Sequence, residues 1–298
     1  MLDITLLGTG GTYPLPDRAL TSLYVRYEGR ALLIDCGEGT QVQLRRLGLR
    51  FKPIEAILIT HFHADHMTGL PGLLLTLGNE GRTEPLTMYG PVGLEQTVNS
   101  LRTIFPFLPF ELQFRELPME DAHLKIIGLD VDVFPGSHDV DCLGYCLSVN
   151  RPGKFDPQAA KAKGIPQRLW GRLQKGESLE GFTPADVLGA PRKGLKVLYC
   201  TDSRPVPGIE TYGKNADLLI LEGMFGEPDK QERAEISHHM MMQEAARFAA
   251  SLNAAELWLT HYSPATPDPE QFEEELKGIF ANTVISKDGQ AVTLQFQD

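Results

Sequence analysis

The chain reads as an α/β protein, and three features of its sequence lead there. Short β-rich runs recur along it, each closing at a polar or glycine-rich turn. Stretches with apolar residues at helical spacing separate the later runs, and the overall composition is that of an ordinary globular domain. In the first quarter Ile4 to Leu7, Leu23 to Tyr27, Ala31 to Ile34 and Ala56 to Ile59 are predicted strands, with one helical run from Thr40 to Leu47. Further strands are predicted at Leu124 to Phe134, Leu143 to Val149, Leu195 to Cys200, Asp217 to Leu221 and Glu256 to Leu259. The clearest helix is Met240 to Leu252, MMMQEAARFAASL, rich in strong helix formers.

With 298 residues, 42% of them hydrophobic, the chain is long and apolar enough to bury a sizeable core. Collagen-like, disordered and small disulfide-stapled classes are excluded. No apolar run approaches the roughly 18 residues needed to cross a bilayer, and the opening MLDITLLGTGG lacks a basic region and a cleavage site. A soluble, untargeted protein without a membrane partner is therefore expected. Its four cysteines, Cys36, Cys142, Cys146 and Cys200, form no CxxC pair, which fits a reducing, cytoplasmic setting. Cys142 and Cys146, on the alternating DCLGYCLSV, read as small packed hydrophobes.

The 28 Lys and Arg against 39 Asp and Glu leave a formal charge of −11. Binding to a polyanion rests on Lys and Arg releasing counterions, so such a partner would need a local basic patch. One segment supplies it. From Arg151 to Lys196 the strand pattern breaks into a stretch dense in Gly and Pro, with ten basic and four acidic residues. This reads as an inserted, projecting arm at about 151–195 within a single domain over residues 1–298. A solvated surface excursion is the plain reading of such a charge run, and polyanion binding the sharper one.

Three of the eight histidines fall within six residues of Thr60-His61-Phe62-His63-Ala64-Asp65-His66, directly after the apolar run AILIT. A strand ending there places the imidazoles and the carboxylate on one loop, where their spacing offers two sets of metal-binding groups. Imidazole with carboxylate suits zinc, with manganese, iron or cobalt as alternatives. His138 after LDVDVFPGS, Asp202 after KVLYCT and His261 after ELWLT share the same context, the end of a β-run. Each alone is weak. Together with His61, His63, Asp65 and His66 they would complete a site for two metals with a bridging carboxylate.

The segment THFHADHMTGLPGLL, with LLGTGGTYP, IDCGEGTQ, His138, TDSRP and the late LTH, resembles the metallo-β-lactamase fold and, within it, the ribonuclease Z family of tRNA 3′-processing endonucleases. The resemblance covers nearly the whole chain, and GKFD, GIP, GRLQKG and DVLGAPRKG resemble the exosite arm of the bacterial members. It implies an αββα sandwich. It further implies His61, His63 and His138 on one zinc, Asp65, His66 and His261 on the other, and Asp202 bridging. Asp65 would help to orient the attacking water. Glu222 in LILEGMF and His239 in SHHMMMQEAA would protonate the leaving group. The chain departs from the family pattern at Leu221, at Met240-Met241, at Pro14 to Ala19 and at Gln167 to Trp170.

On this reading the protein hydrolyses a phosphodiester to remove 3′ trailers from precursor tRNA. Two cations would activate water and stabilise transition-state charge. The basic arm positions Lys154, Lys161, Lys163, Arg168, Arg172 and Lys175 would bind the tRNA body. A homodimer is implied, in which the arm of one subunit holds the tRNA cleaved by the other. The competing enzyme reading is a hydrolase of the same fold acting on small phosphodiesters such as cyclic nucleotides, which would have no need of the arm. A third is a metal-bound binding protein without turnover.

Overall fold

The computed structural model describes residues 1–297. In chain order the strands are β1 (Leu2–Gly8), β2 (Ser22–Tyr27), β3 (Arg30–Ile34), β4 (Ile54–Leu58), β5 (Leu86–Pro91), β6 (Leu112–Leu117), β7 (Ala122–Ile126) and β8 (Leu129–Pro135). They continue with β9 (Leu143–Arg151), β10 (Arg192–Cys200), β11 (Leu218–Glu222), β12 (Leu257–Thr260), β13 (Thr283–Ile285) and β14 (Ala291–Leu294). The helices are α1 (Thr40–Arg46), α2 (Ala64–Met67), α3 (Leu70–Asn79), α4 (Leu94–Leu101), α5 (Pro157–Ala162), α6 (Gln167–Gln174), α7 (Pro207–Gly213), α8 (Gln231–Ile236), α9 (Met242–Ser251) and α10 (Glu273–Ile279).

The strands form two sheets of seven, ordered β14-β1-β2-β3-β4-β5-β6 and β13-β12-β11-β10-β9-β8-β7. Antiparallel pairing at β1 to β3 gives way to parallel pairing from β3 to β6 in the first sheet, and β10 to β13 are parallel in the second. Each sheet carries helices on one face. On α3, Leu70, Leu73, Leu74 and Leu77 are buried at i, i+3, i+4 and i+7 and pack with Leu33 and Ile57 of the first sheet and with Ile59 just after β4. Met242, Ala245, Ala246 and Ala249 of α9 do the same against Leu219, Leu221, Leu257 and Leu259 of the second. The opposite faces are also buried, which is why the strands read as near-continuous apolar runs. The sheets are joined where the buried Tyr145 hydroxyl donates to the carbonyl of Ile59 at 2.7 Å and the Leu143 N–H to that of Thr60 at 2.9 Å.

The residues fall into two compact units, 1–148 with 196–295, and 149–195 with Phe296 and Gln297. The second has its own small core, in which Ala160, Ile165, Leu169, Leu173 and Val187 are buried beneath Phe155 and Trp170. Two local expectations are corrected. Leu124 to Phe134 is a hairpin, not one strand, because Ile127 and Gly128 both take left-handed backbone (φ 49° and 91°) and turn the chain between β7 and β8. The helix expected from Met240 starts at Met242, since Met241 is still extended. Among the described residues no helix is long and apolar enough to cross a membrane.

Candidate active site

The site gathers at the carboxyl ends of strands. Asp202 follows β10, Glu222 closes β11 and His261 follows β12, and these three strands are neighbours in parallel register. Asp35 follows β3, while His61 to His66 lie between β4 and α2. Ligand sites belong at such strand ends, where loops diverge. Asp35, Asp202 and His261 all have left-handed backbone (φ 61°, 52° and 57°), a cost that surrounding structure must hold in place and that concentrates at functional positions.

His61, His63 and His138 offer nitrogen atoms within 4.8 Å of one another, and Asp65, His66 and His261 form a second such group. Asp202 stands between them. Its Oδ1 is 4.0 Å from His61 Nε2 and 3.9 Å from His138 Nε2, while Oδ2 is 3.1 Å from His66 Nε2 and 3.2 Å from His261 Nε2. All of these side chains are buried except that of His63, which opens toward solvent. His63, Asp65, His138, Asp202 and His261 border a cavity of about 340 Å³ that also exposes Thr12, Asp139, Met224 and Ile236.

The residues present fit divalent metal ions. The donors are imidazole nitrogens and carboxylate oxygens, the set that zinc and its neighbours take. His61 Nε2 and Asp202 Oδ2 are buried without a hydrogen-bond partner, and a buried polar atom left that way asks for one. A cation in each group would satisfy both.

Outer partners fix the inner ones. Asp35 accepts the Nδ1 proton of His66 at 2.8 Å and the Thr60 N–H at 2.8 Å, which leaves His66 Nε2 facing Asp202. Asp65 Oδ2 accepts the backbone N–H of Thr12 at 2.7 Å. Gly11 packs flat on His261, and a Cβ there would lie 2.6 Å from the ring, so the GTGG turn needs glycine at that place. Glu222, fully buried, accepts the Ser203 N–H at 2.7 Å on Oε1 and the Nδ1 proton of His239 at 2.8 Å on Oε2.

The electrostatics follow from this crowding. Burial disfavours the His66 imidazolium, yet Asp202 and Asp35 outweigh it and hold its pKa well above the usual value. Burial works against the Asp202 carboxylate too, but His261, His66 and His61 keep it well below the carboxylate range. For His61, burial and then His66 push the pKa well down, leaving it neutral. Burial disfavours the His239 imidazolium, but the charge and hydrogen bond of Glu222 together with Asp202 and Asp65 outweigh it and raise the pKa to about 9.

The structure thus brings His61, His63, Asp65, His66, His138, Asp202 and His261 together, with Glu222 and His239 at one side. The six arm positions belong to the second unit. Arg168 is paired with Glu180, Arg172 with Glu177 and Lys163 with Asp186, all within the arm itself. Lys154, Lys161 and Lys175 are exposed and make no ion pair among the described residues. Reasoning from sequence missed Asp35 and Thr12 as parts of the site. Asp35 was within reach, since IDCGEGTQ is itself a strand end, whereas Thr12 acts through a backbone N–H that no residue type announces.

Two mixed sheets flanked by helices, with clustered His and Asp at their strand ends, define a protein of the metallo-β-lactamase fold. Residues 165–262 match the family model described as β-lactamase superfamily domain, and residues 2–130 the one described as anti-Pycsar protein Apyc1. The ribonuclease Z of Lachnospira eligens is 50% identical, covering 100% of this chain and 99% of its own, and that of Lachnoclostridium phytofermentans 48% identical, covering 99% of each. Among solved structures, human tRNase Z, short form, is 25% identical with a TM-score of 0.72, covering 99% of this chain and 100% of that one. The chain belongs to the ribonuclease Z family.

Proposed function

We propose that this chain is a metal-dependent endoribonuclease that hydrolyses one phosphodiester to release the 3′ trailer of precursor tRNA. The observation that carries the reading is Asp202, whose two carboxylate oxygens face two separate ligand groups. His61, His63 and His138 would hold one ion, Asp65, His66 and His261 the other, and Asp202 both. Zinc is the ion favoured by this donor set. With both ions held there, the chemistry supplied would be a water of pKa lowered to about 7 and stabilisation of charge on the phosphoryl oxygens.

The protein groups do the rest. Asp65, tethered by the Thr12 N–H, orients the attacking water at the cavity wall. His239, whose Nδ1 is engaged by Glu222, turns its other nitrogen to the departing ribose 3′-oxygen and delivers a proton, a contribution of about 10²- to 10⁴-fold for such a group. The arm at about 151–195, an insertion into one domain over 1–298, adds affinity for the tRNA body through its basic side chains. Family membership supports a cytoplasmic homodimer in which each arm serves the partner's site.

Mapping the cut in a 3′-extended precursor tRNA, with and without encoded CCA, tests the reading, with bis(p-nitrophenyl) phosphate run beside it. One cut at the end of the acceptor stem is expected. Turnover of the small ester without cleavage of tRNA would overturn the assignment in favour of a small-phosphodiester hydrolase, and tRNA binding without turnover in favour of a binding protein.

A further inference from the structure

Helix α9, which follows His239, begins on a residue poorly suited to cap it. Its N-cap is Met241, and a thioether is a weak acceptor where Ser, Thr, Asp or Asn would bind the first-turn N–H groups. Glu244 compensates from the N3 position. Its Oε2 accepts the Met241 N–H at 2.9 Å, and the same carboxylate is gripped from the other side by Arg204. Arg204 Nη1 donates to Oε2 and Nη2 to Oε1, each at 2.7 Å, in a fork whose side chains are only 20% and 17% exposed. Nη1 donates as well to the carbonyl of His239, at 2.6 Å.

The backbone on both sides of Met240 is therefore tied to one ion pair, the His239 carbonyl through Arg204 and the Met241 N–H through Glu244. The support matters because the chain reaches His239 through His238, a non-glycine residue in left-handed backbone with φ 55°. Arg204 is not among the residues bordering the cavity. It is, however, the third residue of a short run in which Asp202 supplies the shared carboxylate and Ser203 the N–H that anchors Glu222. One strand end thus sets the ligand, the carboxylate that holds the His239 ring, and the backbone that carries that ring.

We propose that Arg204 is a positioning residue for His239, holding its imidazole where it meets Glu222 and the leaving oxygen; this rests on the reading of His239 as the group that protonates that oxygen. Lysine is no substitute, because a single ammonium cannot make the bidentate fork and reach the carbonyl together. A displacement of about 1 Å at such a group can lower a rate by about a hundredfold.

The test uses metal-loaded, full-length protein and a series of methyl aryl phosphodiesters graded in leaving-group basicity. Arg204→Met and Arg204→Lys should lose about 10- to 100-fold on the most basic leaving groups and little on p-nitrophenolate, which hardly needs a proton. Metal content should stay at the wild-type level. On a His239→Ala background, Arg204→Met should cost less than about twofold more, since groups acting through one another are not additive. Equal loss across the series, or an additive double variant, overturns the proposal. Should Arg204→Met fail to fold, Glu244→Gln is carried through the same series, where the same steepening is expected and its absence overturns the proposal. If His239→Ala itself leaves the leaving-group dependence unchanged, the reading of His239 fails; if His239→Ala steepens it and the Arg204 variants do not, only the positioning role fails.

Discussion

Asp35 and His66 lie 31 positions apart and are joined by a 2.8 Å bond between Oδ2 and Nδ1, with both side chains fully buried. The bond fixes the ring of His66, so that Nε2 faces Asp202, where a bound cation would take the place of its proton. Asp35→Asn should therefore weaken metal binding by about 10- to 100-fold while the fold persists. Competition with a chromogenic chelator measures the affinity and circular dichroism checks the fold. Wild-type affinity in this variant would show that the bond does no more than fill the core.

Asp202 offers one oxygen to each ligand group, so two ions per chain are expected in carefully purified or reconstituted protein by elemental analysis. Asp202→Ala should hold at most one. Chelation should lower the melting temperature of the wild type, since ions that bind only the folded chain stabilise it. One ion or none after reconstitution would count against the paired site.

Much of this site could be read from residue order because its densest part is contiguous. His61, His63, Asp65 and His66 lie within one loop, and no packing role explains so many polar groups after the buried run AILIT. His138, Asp202 and His261 were found by a weaker signal, the shared position after a β-run, which the parallel register of β10, β11 and β12 turns into proximity. What escaped are interactions without a residue-type signature. The Thr12 N–H, the Arg204 fork and the turn at Ile127 depend on backbone geometry settled by tertiary packing. Strand β6, LQFREL, is half exposed and charged, and β13 is only three residues long, so neither carried a readable period.

Asp65 is proposed to hold one metal ion and is itself held by the Thr12 N–H at 2.7 Å. Asp65→Ala should depress kcat far more than it alters KM, because orienting water matters in the transition state and not in binding. Steady-state kinetics on precursor tRNA decide it. A large rise in KM at unchanged kcat would sink the assignment.

Glu222 is fully buried and bonded to both Ser203 and His239. Glu222→Gln keeps the volume but removes the charge that draws His239 toward the imidazolium form. Cleavage of tRNA should fall by more than cleavage of bis(p-nitrophenyl) phosphate, because a ribose oxygen needs a proton as it leaves and a nitrophenolate hardly does. Equal losses on the two substrates would point instead to a purely structural role.

On the proposed reading the arm should separate affinity from chemistry, and the pairing within it narrows which residues would carry the affinity. Arg168, Arg172 and Lys163 already face Glu180, Glu177 and Asp186, so a phosphate must compete with a carboxylate for each. Lys154, Lys161 and Lys175 form no ion pair among the described residues, with Glu177 acting on Lys175 only at longer range, and should dominate. Replacing Gly153 to Gly194 with a short Gly/Ser linker should leave turnover of bis(p-nitrophenyl) phosphate nearly intact. For precursor tRNA it should raise KM, with some loss of kcat where remote binding energy also positions the 3′ end. Substituting only Lys154, Lys161 and Lys175 by Gln should reproduce much of the KM effect. It should also lower the slope of log affinity against log salt by about one for each phosphate that the variant no longer neutralises. Filter binding across a salt series measures that slope directly. If the triple variant binds tRNA with an unchanged slope while Arg168→Gln and Arg172→Gln reduce it, the internal ion pairs open on binding and the division of labour between the two sets is reversed. If the linker variant cleaves precursor tRNA with unchanged kcat/KM, the arm is not a tRNA-binding element at all.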